Sequence, residues 1–251
     1  MAQTVAIVTG SAQGIGRAIA LRLAEDGYDV GLNDIPAKAS ELSLLASEVK
    51  AKGRKACVVA ADVSDEEAVK NMVETVVKEL GSLDVMVSNG AVFMSKTIME
   101  TTVNEWDRVQ SVNSRGTFLC YKYSAKQMIS QGRGGRIIGA SSIVAKQSDV
   151  GMSAYSASKC AVVALTQAAA KEFGPHGITV NCYAPGAVDT SMLSSSVADP
   201  INDLAKVAAM SAFGRLGKPE EIAGTVSFLA SKDATWVTGQ SIGVNGGIIF
   251  H

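Results

Sequence analysis

The sequence predicts an α/β protein in which seven parallel strands form one sheet between two layers of helices. Short runs rich in β-branched residues alternate with longer stretches of helical periodicity, which is typical of repeated βαβ units. The chain has 251 residues, of which 47% are hydrophobic, so it is long enough to bury one large core. No internal repeat, low-complexity tract or proline-rich linker interrupts this pattern. We therefore expect a single domain over residues 1–251.

The predicted strands are the short β-branched runs of the chain. They lie at Val5–Thr9, Asp29–Asn33, Lys55–Ala60, Val85–Ser88, Arg136–Ser141, Thr179–Tyr183 and Gln240–Val244. Helical segments separate most of them, and a helix that joins two parallel strands almost always makes a right-handed crossover.

The helix between the third and fourth strands has the clearest pattern. Its apolar residues recur every three or four positions and so form one face toward the sheet. They are Val69, Met72, Val73, Val76, Val77 and Leu80. We expect Ser64 to cap the start of this helix and Gly81 to mark its end. The first crossover helix is predicted over residues 15–25, and two longer helices over residues 104–130 and 154–173.

Residues 188–213 differ from the rest of the chain. This segment follows the Pro185-Gly186 turn, contains three consecutive serines and Pro200, and has mixed polarity with weak helical periodicity. It is long for a connection inside a compact domain. We therefore predict a mobile lid over a ligand rather than a passive loop.

Composition excludes several functions. Lys and Arg number 23 against 24 Asp and Glu, a formal net charge of -1 with no basic concentration, which argues against nucleic acid as a partner. No apolar run reaches the roughly 18 residues of a membrane span, and no secretory signal is visible, so a cytoplasmic protein is expected. The 4 cysteines lack CxxC spacing and there are only 2 histidines, so we predict neither a metal site nor a disulfide framework.

A glycine-rich segment follows the first strand and leads into a helix. It contains Gly10, Gln13, Gly14, Ile15 and Gly16. Glycines allow the backbone to turn tightly and approach a pyrophosphate, whose charge the helix N-terminus favours. The alternative is a flexible turn, but its position between a strand and a helix favours nucleotide binding.

Asp34 stands at the end of the second strand, about twenty residues after the glycines, where a carboxylate accepts hydrogen bonds from an adenosine ribose. A carboxylate there repels the 2′-phosphate of NADP. No Lys or Arg lies in the glycine loop, and Ile35 and Pro36 follow Asp34. We therefore expect NAD, with NADP the less favoured cofactor. The alternative is that Asp34 only caps the following helix.

Tyr155 and Lys159 are four residues apart at the start of a predicted helix, so both project from one face. A phenol is a poor acid or base at neutral pH. A nearby ammonium favours the phenolate and brings its pKa toward the working range. Taken alone, this spacing also occurs in ordinary surface pairs.

Together these motifs resemble those of the classical short-chain dehydrogenase/reductase family, and the resemblance covers nearly the whole chain. The matching residues, in order, are Thr9, Gly10, Gly14, Gly16, Asp62, Val63, Asn89, Asn113, Ser142, Tyr155, Lys159, Pro185, Gly186 and Thr190. The resemblance implies a Rossmann-like α/β/α fold with the site at the carboxyl ends of the strands.

The family's functional residues carry over to this chain by position. The resemblance implies a catalytic set of Asn113, Ser142, Tyr155 and Lys159. It implies cofactor contacts from Asp62, Val63, Asn89, Pro185, Gly186, Val188 and Thr190, besides the glycine loop, Asp34, Tyr155 and Lys159. The expected substrate contacts are Ser142, Ile143, Tyr155 and Met192.

Two positions qualify this correspondence. The family usually has Asn-Asn-Ala-Gly after the fourth strand, whereas this chain has Ser88-Asn89-Gly90-Ala91, which leaves the local packing open. Ser141 and Ser142 are adjacent, and strand alternation points them to opposite faces. The family's spacing to the tyrosine selects Ser142, and Ser141 is expected to bond locally.

The expected activity is NAD-dependent interconversion of a secondary alcohol and a ketone. Residues 134–193 and 238–241 look most like the acetoin/diacetyl reductases (2,3-butanediol dehydrogenases), which suggests a small hydroxyketone or diketone. The alternatives are a 3-oxoacyl-carrier-protein reductase, a polyol dehydrogenase, and a dinucleotide-binding sensor or scaffold without turnover. Family members pair through their long helices and C-terminal strand, which implies a homotetramer.

Overall fold

The computed structural model describes residues 4–195 and 200–250, and within them seven parallel strands form one sheet. The strands are β1 (Val5–Val8), β2 (Asp29–Asp34), β3 (Ala56–Ala60), β4 (Val85–Ser88), β5 (Gly135–Ala140), β6 (Ile178–Pro185) and β7 (Ser241–Val244). All seven predicted strands are confirmed. The largest change in a boundary is at β6, which continues two residues beyond Tyr183 to Pro185.

Helices cover both faces of the sheet. They are α1 (Gly14–Glu25), α2 (Ala39–Ala51), α3 (Glu66–Leu80), α4 (Val103–Gln110), α5 (Gly116–Gln131), α6 (Ser153–Phe173), α7 (Ser191–Ser194), α8 (Pro200–Ala209) and α9 (Pro219–Ala230). None of these helices, over the part of the chain that the structure describes, has the length and apolar character that crossing a membrane requires.

The alternation of side chains along β1 divides the core into two layers. Ala6 and Val8 belong to the cluster that includes buried residues of α1, α2 and α9, whereas Val5 and Ile7 belong to the cluster with α3, α5 and α6. The sheet is therefore buried on both faces, as a parallel sheet requires. This arrangement confirms the predicted three-layer α/β/α fold.

The strand order β3-β2-β1-β4-β5-β6-β7 determines where a ligand binds. The chain moves outward from β1 in one direction through β2 and β3, and then returns to place β4 on the other side of β1. A crevice forms at the carboxyl ends of the strands at such a reversal. The glycine loop follows β1 and Asn89 follows β4, so both lie at this crevice.

The helix predicted over residues 104–130 is confirmed as one helical stretch, in which a π-helical turn, Ser111–Arg115, joins α4 to α5 with helical backbone angles at both junctions. The predicted cap of α3 was wrong. Ser64 does not cap α3; the carboxylate of Asp65 accepts the hydrogen bond from the backbone N–H of Ala68 at 2.9 Å. Ser64 instead donates its hydroxyl to Asp62 at 2.7 Å. The predicted end at Gly81 is confirmed, with a left-handed φ of 97°.

Residues 188–213 contain more helix than the sequence predicted. The hydroxyl of Thr190 accepts a hydrogen bond from the N–H of Leu193 at 3.4 Å and so caps α7, while α8 begins at a proline, which is well suited to the first helical position. Over α8 the apolar residues Leu204, Val207 and Ala208 do recur at helical spacing, a signal that the sequence analysis missed. The part of the prediction on residues 196–199 lies outside the described residues.

Candidate active site

A cleft of about 290 Å³ lies at the carboxyl ends of the strands. It is lined by many of the residues that the sequence selected. These are Gly10, Gln13, Gly14, Ile15, Gly16, Asp34, Asp62, Val63, Asn89, Tyr155, Lys159, Pro185, Thr190 and Met192. The cleft therefore brings the predicted cofactor residues and the tyrosine–lysine pair into one site.

The glycine loop forms one wall of this cleft. Gly10 and Gly14 have left-handed φ angles of 63° and 55°, which glycine adopts without strain. A Cβ atom on Gly10 would lie 2.8 Å from the Cα of Gly90, so a larger residue does not fit there. No side chain caps the start of α1, which leaves its first N–H groups for a ligand. These features fit the pyrophosphate of a dinucleotide.

Asp34 ends β2 beside this loop. One carboxylate oxygen accepts a hydrogen bond from the N–H of Ala12 at 3.1 Å, and the other accepts from the N–H of Ile35 at 2.9 Å. The short helical turn Pro36–Lys38 that follows is not capped by a side chain. Asp34 is therefore bonded to the glycine loop and does not serve as a helix cap.

Two cations also line this end of the cleft, Lys38 and Arg108, which the sequence analysis missed. Lys38 pairs with Glu41 at 2.9 Å, and Arg108 pairs with Asp62 at 3.4 Å. Burial raises the pKa of Asp62, but hydrogen bonds from Ser64 and the charge of Arg108 outweigh it and hold this pKa below its usual value. The only sequence signal for Lys38 was its position, four residues after Asp34.

Asn89 joins the loops after β1, β4 and β6. Its side-chain NH₂ donates to the carbonyls of Thr9 at 2.9 Å and Gly10 at 3.1 Å, and its side-chain oxygen accepts from the Tyr183 hydroxyl at 2.8 Å. Every hydrogen-bonding group of the amide is thus used. Asn89 holds the glycine loop in the shape that the cleft requires.

The unusual Ser88-Asn89-Gly90-Ala91 sequence fits this packing. Ser88 is buried, and its hydroxyl donates to the hydroxyl of Thr117 on α5 at 3.2 Å. The Cα of Gly90 is the atom nearest to the position that a Cβ on Gly10 would take, whereas a Cβ on Gly90 would lie 3.4 Å from the N of Gly10, an ordinary contact. The hydroxyl at residue 88 therefore has a partner, and the tight packing of the two loops requires glycine at residue 10 rather than at residue 90.

Tyr155 and Lys159 lie on α6 at the other end of the cleft. The ammonium of Lys159 is 5.4 Å from the centroid of the Tyr155 ring and donates to the carbonyl of Ala140 at 2.8 Å. Burial raises the pKa of Tyr155 to about 12 and lowers the pKa of Lys159 to about 8. The two groups are close, but in this arrangement Lys159 does not produce the lowered tyrosine pKa that the sequence led us to expect.

Asn113 lies in the π-helical turn that joins α4 to α5 within one helical stretch. Its buried side chain accepts from the N–H of Val92 and donates to the carbonyl of Val92, both at 2.9 Å. It also donates to the hydroxyl of Ser158 at 3.0 Å. The amide therefore connects the segment after β4 to α6.

The two adjacent serines have different surroundings. Ser141 lines the cleft, and its hydroxyl donates to the backbone carbonyl of Lys159 at 3.1 Å. The hydroxyl of Ser142 accepts from the N–H of Val144 at 3.4 Å. Ser142 and Ile143, the two predicted substrate residues that follow Ser141, are not among the described residues that line the cleft.

Gly186 and Val188 were expected to contact the cofactor, and they too are absent from the described lining of this cleft. A Cβ on Gly186 would lie 2.9 Å from the Cα of Asn245, so this residue packs closely on the segment after β7. Val188 is buried, bridges to Gly217, and lines a second cavity of about 150 Å³.

Known proteins are similar to this chain over nearly its whole length. Residues 10–249 match a family model described as enoyl-(acyl carrier protein) reductase. A short-chain dehydrogenase/reductase of Armillaria gallica is 52% identical over 253 residues, covering 98% of this chain and 96% of the relative. A 3-oxoacyl-[acyl-carrier-protein] reductase of Staphylococcus aureus is 40% identical over 243 residues, with 97% of each chain covered.

Solved structures are also similar to this chain over nearly its whole length. The acetoin dehydrogenase of Salmonella typhimurium superimposes with a TM-score of 0.89 at 34% identity, covering 98% of this chain and 96% of that one. A Burkholderia cenocepacia short-chain dehydrogenase in complex with NADP gives 0.90 at 34% identity, and carveol dehydrogenase of Mycobacterium avium in complex with NAD gives 0.92 at 30%. Both of these comparisons cover 98% of this chain and 97% of the other.

The fold and the site define a dinucleotide-dependent oxidoreductase that acts on CH–OH groups. The chain belongs to the short-chain dehydrogenase/reductase family, as its full-length similarity to these relatives shows. Among the solved relatives, the Burkholderia enzyme binds NADP and the Mycobacterium enzyme binds NAD.

Proposed function

We propose that this enzyme uses NAD(H) to interconvert a secondary alcohol and a ketone. The observation that supports this most directly is the shared cleft, in which the glycine loop and Asp34 lie at one end and Tyr155 and Lys159 at the other. A bound nicotinamide supplies the hydride chemistry, and the protein supplies orientation and proton transfer.

In the direction of reduction, Tyr155 donates its hydroxyl proton to the carbonyl oxygen of the ketone. Burial raises the pKa of the half-buried Tyr155 phenol to about 12, so it carries this proton at neutral pH. An efficient general acid has a pKa nearer the operating pH, so the mechanism requires that this pKa be lower when cofactor and substrate are bound. Lys159 supplies a polar group beside the phenol and a donor for the nicotinamide ribose. Ser142 donates a hydrogen bond to the carbonyl oxygen of the ketone. Asn113 helps to position Lys159 through water, and Thr190 contacts the carboxamide of the nicotinamide.

NAD(H) is the proposed cofactor because Asp34 lies where a ribose binds and its charge repels a 2′-phosphate. Lys38 and Arg108 line the same end of the cleft, but each is already paired with a carboxylate. The negative charge of each carboxylate offsets part of the attraction that its cation offers to a phosphate.

The proposed substrate is a small hydroxyketone or diketone, such as acetoin or diacetyl. The similarity to the Salmonella acetoin dehydrogenase supports this class, and Val92 and Met192 give the cleft an apolar lining. The second candidate is a 3-oxoacyl-carrier-protein substrate, which the 40% identity to the Staphylococcus enzyme favours. A polyol is less suited to the apolar lining.

We further propose that residues 188–213 form a lid whose side chains, Met192 among them, select the substrate. Thr190 already lies beside the glycine loop, since a Cβ on Gly14 would be 3.3 Å from its methyl group. Slower hydrogen exchange in this segment with NADH than without it supports a lid, and equal exchange refutes one.

A cytoplasmic homotetramer is the proposed assembly. Apolar side chains are exposed on α5, where Phe118 is 45% accessible, and near the C-terminus, where Trp236 is 98% and Phe250 is 85% accessible. Burial of such side chains between copies is favourable. Light scattering tests the assembly: a mass about four times that of the 26.0 kDa chain supports it, and the mass of one chain refutes it.

The activity is tested by the absorbance of reduced nicotinamide during incubation with ketones. Diacetyl, acetoin, a 3-oxoacyl thioester and a ketose are each supplied with NADH and, in parallel, with NADPH. Faster consumption of NADH with diacetyl or acetoin supports the proposal. Preference for the thioester with NADPH supports the second candidate, and no consumption with any ketone refutes both.

A further inference from the structure

The segment after β4 contacts the proposed catalytic tyrosine through an aromatic pair. The ring centroids of Phe93 and Tyr155 are 5.1 Å apart, with an angle of 67° between the ring planes. This edge-to-face geometry is one of the arrangements that aromatic pairs prefer. Phe93 is half-buried, and the residue before it, Val92, lines the cleft.

A chain of hydrogen bonds joins the same two segments behind the rings. Asn113 binds both backbone groups of Val92, the residue before Phe93, and donates to the hydroxyl of Ser158. Ser158 in turn donates to the backbone carbonyl of Tyr155 at 2.7 Å. The relative accessibility of Asn113 is 1% and that of Ser158 is 0%, so water does not compete for these bonds.

The direction of every bond in this chain is fixed. The Asn113 oxygen has one donor, its NH₂ group has two acceptors, and the Ser158 hydroxyl uses its proton on Tyr155 and so accepts from Asn113. Such a fully satisfied buried network is rigid. The backbone that carries Phe93 is therefore held at a defined distance from the turn of α6 that carries Tyr155.

We propose that Phe93 is a positioning residue for Tyr155, and that the Val92–Asn113–Ser158 hydrogen bonds hold it in place for that task. The inference rests on the proposed function, because it assigns Tyr155 the transferred proton. The Tyr155 ring lies between two contacts, the Lys159 ammonium at 5.4 Å and the Phe93 ring at 5.1 Å. Without either contact, the Tyr155 ring is no longer held where its hydroxyl can transfer a proton to the substrate oxygen.

Kinetics of single variants test this role. Phe93→Leu keeps an apolar side chain but removes the ring, Ser158→Ala breaks the hydrogen-bond chain, and Phe93→Tyr keeps the ring as a conservative rescue. We expect Phe93→Leu and Ser158→Ala to lower kcat by about 10- to 100-fold, since small displacements of reacting groups have such effects. The KM for NADH is expected to stay unchanged, and Phe93→Tyr to retain most of kcat.

The matched control is Met99→Ala, in the same segment after β4, at a residue that is 94% accessible. It is expected to change neither kcat nor KM. The double variant of Phe93 and Ser158 is expected to have about the same kcat as the single variant with the lower kcat, because both substitutions act on the same group. Additive losses, or a kcat of Phe93→Leu near that of the wild type, would overturn the proposal.

A second measurement does not depend on turnover, so it separates this inference from the proposed function. The chain has 5 tyrosines, and ¹³C labelling of their rings with Tyr155→Phe as reference identifies the Tyr155 signal. We expect Ser158→Ala, which does not touch the ring, to shift or broaden that signal while Met99→Ala leaves it unchanged. An unchanged signal in Ser158→Ala refutes the positioning role even in a protein that reduces none of the ketones tested.

Discussion

The two ends of the cleft are built by different means. At the glycine-loop end, the shape comes from the backbone itself: Gly10 and Gly14 have left-handed φ angles, and Asn89 ties the loop to β4 and β6. At the tyrosine end, the shape comes from side chains of distant segments that meet around Tyr155. The first end therefore depends on glycine dihedral angles and on backbone carbonyls that Asn89 holds, whereas the second depends on packing between side chains.

This difference predicts how each end responds to substitution. A change to Tyr155 or to a residue that positions it should lower turnover and leave cofactor affinity close to wild type, because these residues act on the reacting group. Lys159 is the exception at this end, because the proposed function also gives it a hydrogen bond to the nicotinamide ribose. A change at the glycine loop should reduce both stability and cofactor affinity, because the loop's shape is a property of the backbone. Four predictions follow from this contrast, from the largest expected effect to the smallest.

The largest effect is expected for Tyr155→Phe. The substitution removes one oxygen and the proposed proton donor, and general acid–base catalysis typically contributes about 10²- to 10⁴-fold to a rate. We expect turnover to fall by that factor, while affinity for NADH, measured by fluorescence titration, and the melting temperature stay close to wild type. Near-normal turnover would show that another group transfers the proton.

The next effect is expected for Gly10→Ala. An alanine pays roughly 1–2 kcal/mol for the left-handed φ and, in addition, its Cβ meets Gly90. Gly53→Ala is the matched control, because Gly53 also has a positive φ, of 75°, but a Cβ there has no neighbour within 4 Å. Urea unfolding should show a larger loss for Gly10→Ala, and only this variant should bind NADH more weakly. Equal losses of unfolding free energy in both variants would mean that the close approach of Gly10 and Gly90 does not contribute to stability.

A smaller effect concerns pH and Lys159. Burial lowers the pKa of Lys159 from 10.5 to about 8, so between these values the unfolded chain holds a proton that the folded chain has released. The contribution of Lys159 to the free energy of unfolding therefore rises with pH over this interval. We expect Lys159→Met to lack this rise when its unfolding free energy is compared with that of the wild type at pH 7 and at pH 10. A constant difference between the two proteins would show that the ammonium is not destabilised by burial.

The smallest effect is expected for Asp34→Ala. Removal of the carboxylate takes away a ribose acceptor and the repulsion of a 2′-phosphate, so NAD affinity should fall and NADP affinity should rise. The ratio of the two dissociation constants, from titrations with both cofactors, should move toward one. An unchanged ratio would assign Asp34 only to its bonds with Ala12 and Ile35.

The contrast between the two ends also explains how far the sequence predicted the structure. The strands, the glycine loop and the tyrosine–lysine pair were predictable, because each depends on residues close together in the chain. The Asn113 bonds to Val92 and the contact between Phe93 and Tyr155 join residues that are far apart in the sequence, and periodicity carries no signal for them.

Smaller errors have local causes. Ser64 and Asp65 are both good capping residues, and only the geometry of the α3 start selects Asp65. The π-helical turn at Asn113 lies inside a helix that the sequence predicts correctly as one stretch, but the pattern of residue types does not indicate where its turn widens. Lys38 lines the cleft because the chain turns back after Asp34, which the pattern of charges does not indicate.

The central claim is that the two ends serve one reaction: the glycine-loop end holds the pyrophosphate and adenosine ribose of the cofactor, and the tyrosine end brings the hydride of the nicotinamide and the proton of Tyr155 to the same carbonyl group. The most direct test is incubation of the wild-type enzyme with diacetyl and NADH that carries deuterium at both C4 positions of the nicotinamide, followed by mass spectrometry of the alcohol. The account predicts a product that contains one deuterium, and that forms far more slowly with Tyr155→Phe. An alcohol product without deuterium would contradict the account.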